Sequence, residues 1–170
     1  EFYDWKWQGW IRIPSISSSK DTAFYICYDG LDNVDRSNGG DTFPLSDGFV
    51  GVYHLAGSLS DASTQRQNAV QVGSGISQIA SPFGGSYLLE NGSYLNLGQD
   101  TVKDLFDPGA DFTITVWALP KQYYSEGMWF LCKPYTSHTG PYYQFFAYIN
   151  YSNYLPSAVL YQTNVYSYYM

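Results

Sequence analysis

Residues 111–120, DFTITVWALP, decide the fold class. Phe112, Ile114, Val116 and Ala118 recur at every second position, with Thr113, Thr115 and Trp117 between them. A period of two places alternate side chains on opposite faces of a pleated strand, and β-branched and aromatic residues suit that surface. Pro120 lacks the N–H a strand interior needs and marks the run's end.

The same alphabet continues outward. Downstream lie MWFLCK, YYQFFAYI and AVLYQTNVYSYYM, separated by turns bearing Gly and Pro. YYQFFAYINY, 142–151, has aromatics on both faces, as expected of a strand covered on both sides. Upstream, strands are expected at 86–89 (SYLL) and 93–97 (SYLNL), parted by the turn Glu90-Asn91-Gly92, and at 68–72 (NAVQV) and 47–55 (DGFVGVYHL). Near the start, residues 5–14 and 22–28 (TAFYICY) read as two strands joined by a Ser-rich turn. Alternation in 5–13 puts Trp5, Trp7, Gly9, Ile11 and Ile13 on an expected core face and Lys6, Gln8, Trp10 and Arg12 on the other. TVKDLF, 101–106, is the one place for a helical turn. Short strands with turn signals every 8 to 12 residues predict an all-β chain built as an antiparallel β-sandwich or barrel.

Composition narrows the partners. With eight basic residues and a formal charge of −7, the chain has no footprint for nucleic acid or anionic lipid. No apolar run approaches the roughly 18 residues of a membrane-spanning helix. Cys27 and Cys132 lie in strand-like contexts and read as two buried thiols, with a disulfide as the alternative. The chain starts at EFYDWKW without an initiating Met or a signal-peptide pattern, which reads as a processed or excised piece.

The order of features from Gly51 to Leu119 resembles the first half of a laminin-G-like, concanavalin A-like jellyroll. Tyr53-His54-Leu55, Asn91-Gly92 with Tyr94 and Leu97, and Phe112-Thr113-Ile114 with Trp117 and Pro120 carry the likeness. Upstream, WIRIPSISSSKDTAFYICYDG is similar to the closing part of a small uncharacterised β-domain that often precedes such jellyrolls in secreted bacterial, archaeal and phage proteins. Trp10, Ile11, Pro14, Ser15, Ser17, Asp21, Thr22, Tyr25 and Tyr28 fit that pattern. The resemblance covers roughly residues 8–120 and implies two parts, a partial β-unit over 1–46 and a jellyroll portion over 47–170. The 53 residues after Trp117 are too few for the remaining jellyroll strands, so those strands are expected from a neighbouring chain or from further sequence.

Function classes follow from which side chains are present. The concanavalin A-like fold hosts glucanases, whose chemistry requires two carboxylates about 5 Å or about 6.5–9.5 Å apart. Glu1, Glu90 and Glu126 are the only glutamates, and none shares a strand face with another acid. A Gly-x-Ser-x-Gly elbow is also lacking, so the chain reads as non-catalytic. Calcium is the candidate cofactor, through Asp29 and Asp32 in the turn-rich tract 29–41 and Asp61 in 57–68, with solvated Asx turns as the competing reading. Asn91-Gly92-Ser93 and Asn150-Tyr151-Ser152 are acceptor sequons for N-glycosylation. Trp10 stands among polar neighbours, and with Gln8 and Arg12 it forms the candidate ligand site for glycan or cell surface. The expected role is extracellular recognition or adhesion; the alternative is a structural subunit of a virion, fibre or surface filament, joined to like subunits by inter-chain strand contacts.

Overall fold

A computed structural model describes residues 2–3, 6–7, 9–27, 35–98, 111–121, 128–134, 143–150, 152, 155–162 and 165–169. Among these residues strands arranged in antiparallel sheets dominate, with one turn of α-helix, so the chain is all-β in class. It divides into two compact units, Glu1–Lys103 and Asp104–Met170, and the boundary expected at 46/47 falls inside the first.

In the first unit β1 (Phe2–Tyr3) pairs with β2 (Lys6–Trp7). The strands expected across 5–14 and 22–28 shrink to β2: residues 9–27 contain no ladder. The Ser-rich turn between them does form, because the Ser17 hydroxyl accepts from the Ser19 and Lys20 amides and Thr22 Oγ1 accepts from the Ser17 amide. What the flanking runs lack is a partner. Phe24, Tyr25 and Ile26 are exposed, and Ile11 and Ile13, assigned to a core face, are exposed too. Alternation expresses a fit to a pleated surface, and without a second backbone or a covering layer it does not make a strand.

Residues 35–98 hold the ordered body of this unit. The helical turn α1 (Gly39–Thr42) starts at Asn38, whose side chain accepts from the Asp41 amide and satisfies one of the free N–H groups of a helix start. A 3₁₀ turn, Leu45–Asp47, ends at Gly48 in the left-handed region, φ 88°. The strand expected at 47–55 is reduced to this turn and one isolated bridge, Tyr53 to Asp61. Beyond it β3 (Val70–Val72) pairs with β6 (Tyr94–Asn96), and β4 (Ile76–Ile79) pairs with β5 (Ser86–Leu89). The two pairs are nested in sequence. The expected turn between 86–89 and 93–97 is present: Asn91 (φ 54°) and Gly92 (φ 70°) are both left-handed, and the Ser93 amide donates to the Glu90 carbonyl at 3.0 Å. It does not make the two flanking strands partners, since each pairs elsewhere.

The second unit is a four-stranded antiparallel meander of β7 (Met128–Pro134), β8 (Tyr143–Ile149), β9 (Pro156–Gln162) and β10 (Val165–Tyr169), in that spatial order. All three aromatic-rich runs become strands, and the last splits into the hairpin β9–β10. Phe145 and Ala147 on β8 are buried, and Phe112, Ile114, Phe130, Leu131 and Ala158 pack against them. Phe112 meets Phe145 edge-on at 6.0 Å. The pairing of β7 with β8 shifts register between Trp129 and Leu131, at Phe130. On the opposite face Trp129 stacks on Phe146 at 4.9 Å and Phe146 lies 5.2 Å from Tyr148, so β8 does carry packed aromatics on both sides.

DFTITVWALP is where sequence and structure part most clearly. Phe112 and Ile114 point to the core as alternation requires, yet 111–121 is unladdered, and Val116, Trp117 and Leu119 are exposed. The helical turn expected at 101–106 lies outside the described residues. Cys27 and Cys132 are free thiols in exposed residues, contrary to the buried pair expected. The Cys132 sulfur is nonetheless sunk far enough into the sheet surface that desolvation pushes its pKa up.

Candidate functional site

The candidate surface is centred on Trp10. The residue is 70% exposed, yet its indole does not hang free. His54 stacks against it, with ring centroids 5.8 Å apart and planes 22° from parallel, and Phe43 meets it edge-on at 6.0 Å. Phe43 is itself buried, 5.7 Å from His54 and 5.2 Å from Phe49. Three segments distant in sequence therefore converge on one ring: the extended stretch around Trp10, the residue closing α1, and the 49–54 segment. Ring pairs of this kind contribute about 0.5–1.5 kcal/mol each beyond the area they cover.

Arg12 lies two residues from Trp10, and its guanidinium grips Asp47 with both arms, Nε to Oδ2 at 2.8 Å and Nη2 to Oδ1 at 3.2 Å. Asp47 ends the 3₁₀ turn that carries the chain from Phe43 to Phe49. Both side chains are well exposed, so the pair adds about 1 kcal/mol or less to stability. Its fork geometry does fix direction: it ties the extended N-terminal stretch to the turn whose neighbours, Phe43 and Phe49, build the aromatic cluster.

Of the three residues grouped as a ligand site from the sequence, the structure places Trp10 and Arg12 in this region, while Gln8 lies outside the described residues. His54, Phe43 and Asp47 complete the arrangement. Sequence reasoning missed them because their separations from Trp10 and Arg12, 35 residues for the ion pair, follow no local period.

Asp61, a calcium candidate on sequence, is buried at 5% exposure and fully engaged. Oδ1 accepts from the Val52 amide at 2.9 Å and the Ser63 amide at 2.8 Å; Oδ2 accepts from the Ser63 hydroxyl at 2.8 Å and the Gln67 amide at 3.1 Å. Its own amide donates to Asn68 Oδ1 at 3.1 Å. Four donors around one carboxylate satisfy the charge that burial would otherwise penalise. Tyr53 closes the other side, its hydroxyl 2.7 Å from the Gln67 carbonyl and 3.2 Å from that of Leu97. Asp29 and Asp32 lie outside the described residues. Among the described residues no three His, Cys, Asp or Glu side chains group as metal ligands would.

The sequon residues sit in contrasting settings. Asn91 is exposed at the head of the left-handed turn, and the Ser93 hydroxyl accepts from the Gly75 amide at 2.9 Å. Asn150 Oδ1 accepts from both the amide and the hydroxyl of Ser152, at 2.9 and 2.7 Å, which folds its side chain back on its own sequon.

No family model, curated protein or solved structure matches the chain.

Proposed function

We propose that this chain is a non-catalytic extracellular recognition module, built on a laminin-G-like β-sandwich, that takes a glycan against the open side of Trp10. The observation that carries the reading is the combination of exposure and support at that ring. The indole of a residue 70% exposed, braced by His54 and Phe43, presents a flat apolar surface with little freedom left to lose on binding. Sugar rings offer C–H faces that stack on such a surface while their hydroxyls stay hydrated or bond nearby polar groups. Arg12 contributes position rather than a free charge, because its guanidinium is committed to Asp47.

The test is affinity electrophoresis through gels containing a panel of neutral and acidic polysaccharides, with Trp10→Ala beside the parent chain. Retardation of the parent on at least one polysaccharide, lost in Trp10→Ala while near-ultraviolet circular dichroism keeps its Phe and Tyr signals, is the expected result. Equal migration of both proteins through every gel removes the proposal.

A second reading, a structural subunit assembled with like chains through strand contacts, draws on a separate observation. Phe24, Tyr25 and Ile26 are exposed in a run of strand-forming residues that has no ladder partner. Backbone groups in that state accept an added strand. Sedimentation that shifts to larger species with concentration supports assembly, and a monomer throughout rules it out.

A further inference from the structure

The sequence holds two Asn-Gly pairs, Asn38-Gly39 and Asn91-Gly92, and the fold treats them in opposite ways. Asn-Gly is the dipeptide most open to internal attack, because glycine has no Cβ to keep its nitrogen away from the preceding side chain. Reaction requires that the asparagine side chain can rotate its carboxamide carbon toward that nitrogen, and that a five-membered ring has room to form.

At Asn38 both conditions fail. The carboxamide is held at two points by Asp41, Oδ1 accepting from its amide at 3.2 Å and Nδ2 donating to its carboxylate at 2.6 Å. Gly39 is pressed against the chain at Ala62, where even an added Cβ would come within 2.5 Å of the Ala62 carbonyl oxygen. At Asn91 both conditions are met. The residue is exposed, its carboxamide makes no hydrogen bond among the described residues, and the space where a Cβ of Gly92 would sit is empty to 4 Å. The Gly92 amide donates to no backbone carbonyl there, the turn being closed one residue later by the Ser93 amide.

We infer that Asn91 is a site of spontaneous covalent modification, deamidating through a cyclic imide, whereas Asn38 is protected by the fold. The Gly92 nitrogen, giving up its proton to hydroxide, bonds to Cγ of Asn91; the Cγ–Nδ2 bond breaks, and Nδ2 departs as ammonia, taking one proton from water. Water then opens the imide at either carbonyl, giving aspartate or, with the main chain rerouted through Cβ, isoaspartate. No oxidant or cofactor takes part. The product adds a negative charge beside Glu90, and in the isoaspartate form it adds a methylene to the turn between β5 and β6. It also removes the acceptor nitrogen of the Asn91-Gly92-Ser93 sequon, so modification by sugar and modification by age exclude one another at this atom.

The experiment uses the full chain made in a host that does not glycosylate asparagine, incubated in mildly alkaline buffer and sampled over time for peptide mapping by mass spectrometry. Isoaspartate is scored by protein isoaspartyl methyltransferase labelling. The expected result is amide-to-acid conversion at Asn91 at least several times faster than at Asn38, with the difference largely abolished when the same incubation is run in concentrated urea. Conversion at Asn38 as fast as at Asn91 in the folded chain, stability of both, or a preference for Asn91 that persists unchanged in urea would each overturn the inference. The last outcome would assign the preference to flanking sequence rather than fold.

Discussion

Residues 35–98 and the four-stranded sheet of the second unit hold themselves together by different physics. In the first region the buried residues are few and mixed: Phe43 and Ala69 beside Asp61 and Ser63. Besides the two short ladders β3–β6 and β4–β5, connections there run from side chain to backbone, with Asp61 binding Val52, Ser63 and Gln67, Thr64 Oγ1 donating to the Gly40 carbonyl, and Tyr53 reaching Gln67 and Leu97. In the second, backbone ladders join β7 to β10 in one sheet, interrupted by register shifts between β7 and β8, and aromatic side chains pack on both faces of β8. The lesson is that a chain rich in Tyr, Phe, Ser and Asn can order itself by two routes, one directional and one by apolar contact, and that they should answer differently to substitution and to solvent.

The largest effect is expected in the sheet. Phe145→Ala deletes the ring at the centre of its buried face and is predicted to cost about 3–5 kcal/mol, read as a lower urea midpoint for loss of the aromatic near-ultraviolet signal. A cost under about 1 kcal/mol would mean that the Trp129–Phe146–Tyr148 face holds the sheet, and the contrast would have to be redrawn around that face.

Asp61→Asn is the matching break in the polar region and is expected to cost about 2–3 kcal/mol. The substitution keeps the shape but puts an NH₂ group where an oxygen accepts two donors, leaving buried N–H or O–H groups without partners. If the thermal midpoint of Asp61→Asn matches the parent's, the carboxylate is not what orders 52–68 and the directional half of the comparison fails.

How far each region could be read from sequence follows the same division. The aromatic runs of the second unit were legible because strand-forming composition and period coincide with a real ladder; alternation put Phe112 and Ile114 on one face with Val116 and Ala118, but only the first two pack on the core. The polar region was legible at its Asn91-Gly92 turn and at the runs 68–72, 86–89 and 93–97, which hold β3, β5 and β6, whereas β4 (Ile76–Ile79) was not expected; upstream, the Ser17–Thr22 tract also obeys local rules. The setting of Asp61 was not legible, because a loop aspartate reads the same in sequence whatever donors surround it, and those here come from the amides of Val52 and Gln67. The strands expected at 22–28 and 111–120 show the remaining limit: pattern encodes readiness to pair, whereas pairing depends on a second segment that the pattern does not name. At the candidate site, alternation did not set Trp10 apart, because Ile11 and Ile13 on the expected core face are exposed as well, and the bracing by His54 and Phe43 had no local signal.

The smallest effect concerns pH, and it sharpens the comparison because in the acid range it acts through a hydrogen-bonded carboxylate of the first region. Asp35, just before α1, has its carboxyl held below the ordinary value of 3.8, chiefly by hydrogen bonding from the Ser37 hydroxyl and also from the Ser37 amide, 2.8 Å from Oδ1. A carboxylate whose folded pKa lies below its unfolded one favours folding in the ionised form. That contribution is therefore fully present above about pH 4 and is lost as the pH falls through the lower folded value. Because the group is exposed, solvent screening keeps the effect small. In Ser37→Ala the Asp35 carboxyl resonance is expected to titrate at higher pH than in the parent, and the acid limb of the stability curve should lose a little of its slope. Cross-peaks from β7 to β9 should not shift over the same range, and if they follow the Asp35 titration, the contrast between a directional and an apolar region fails.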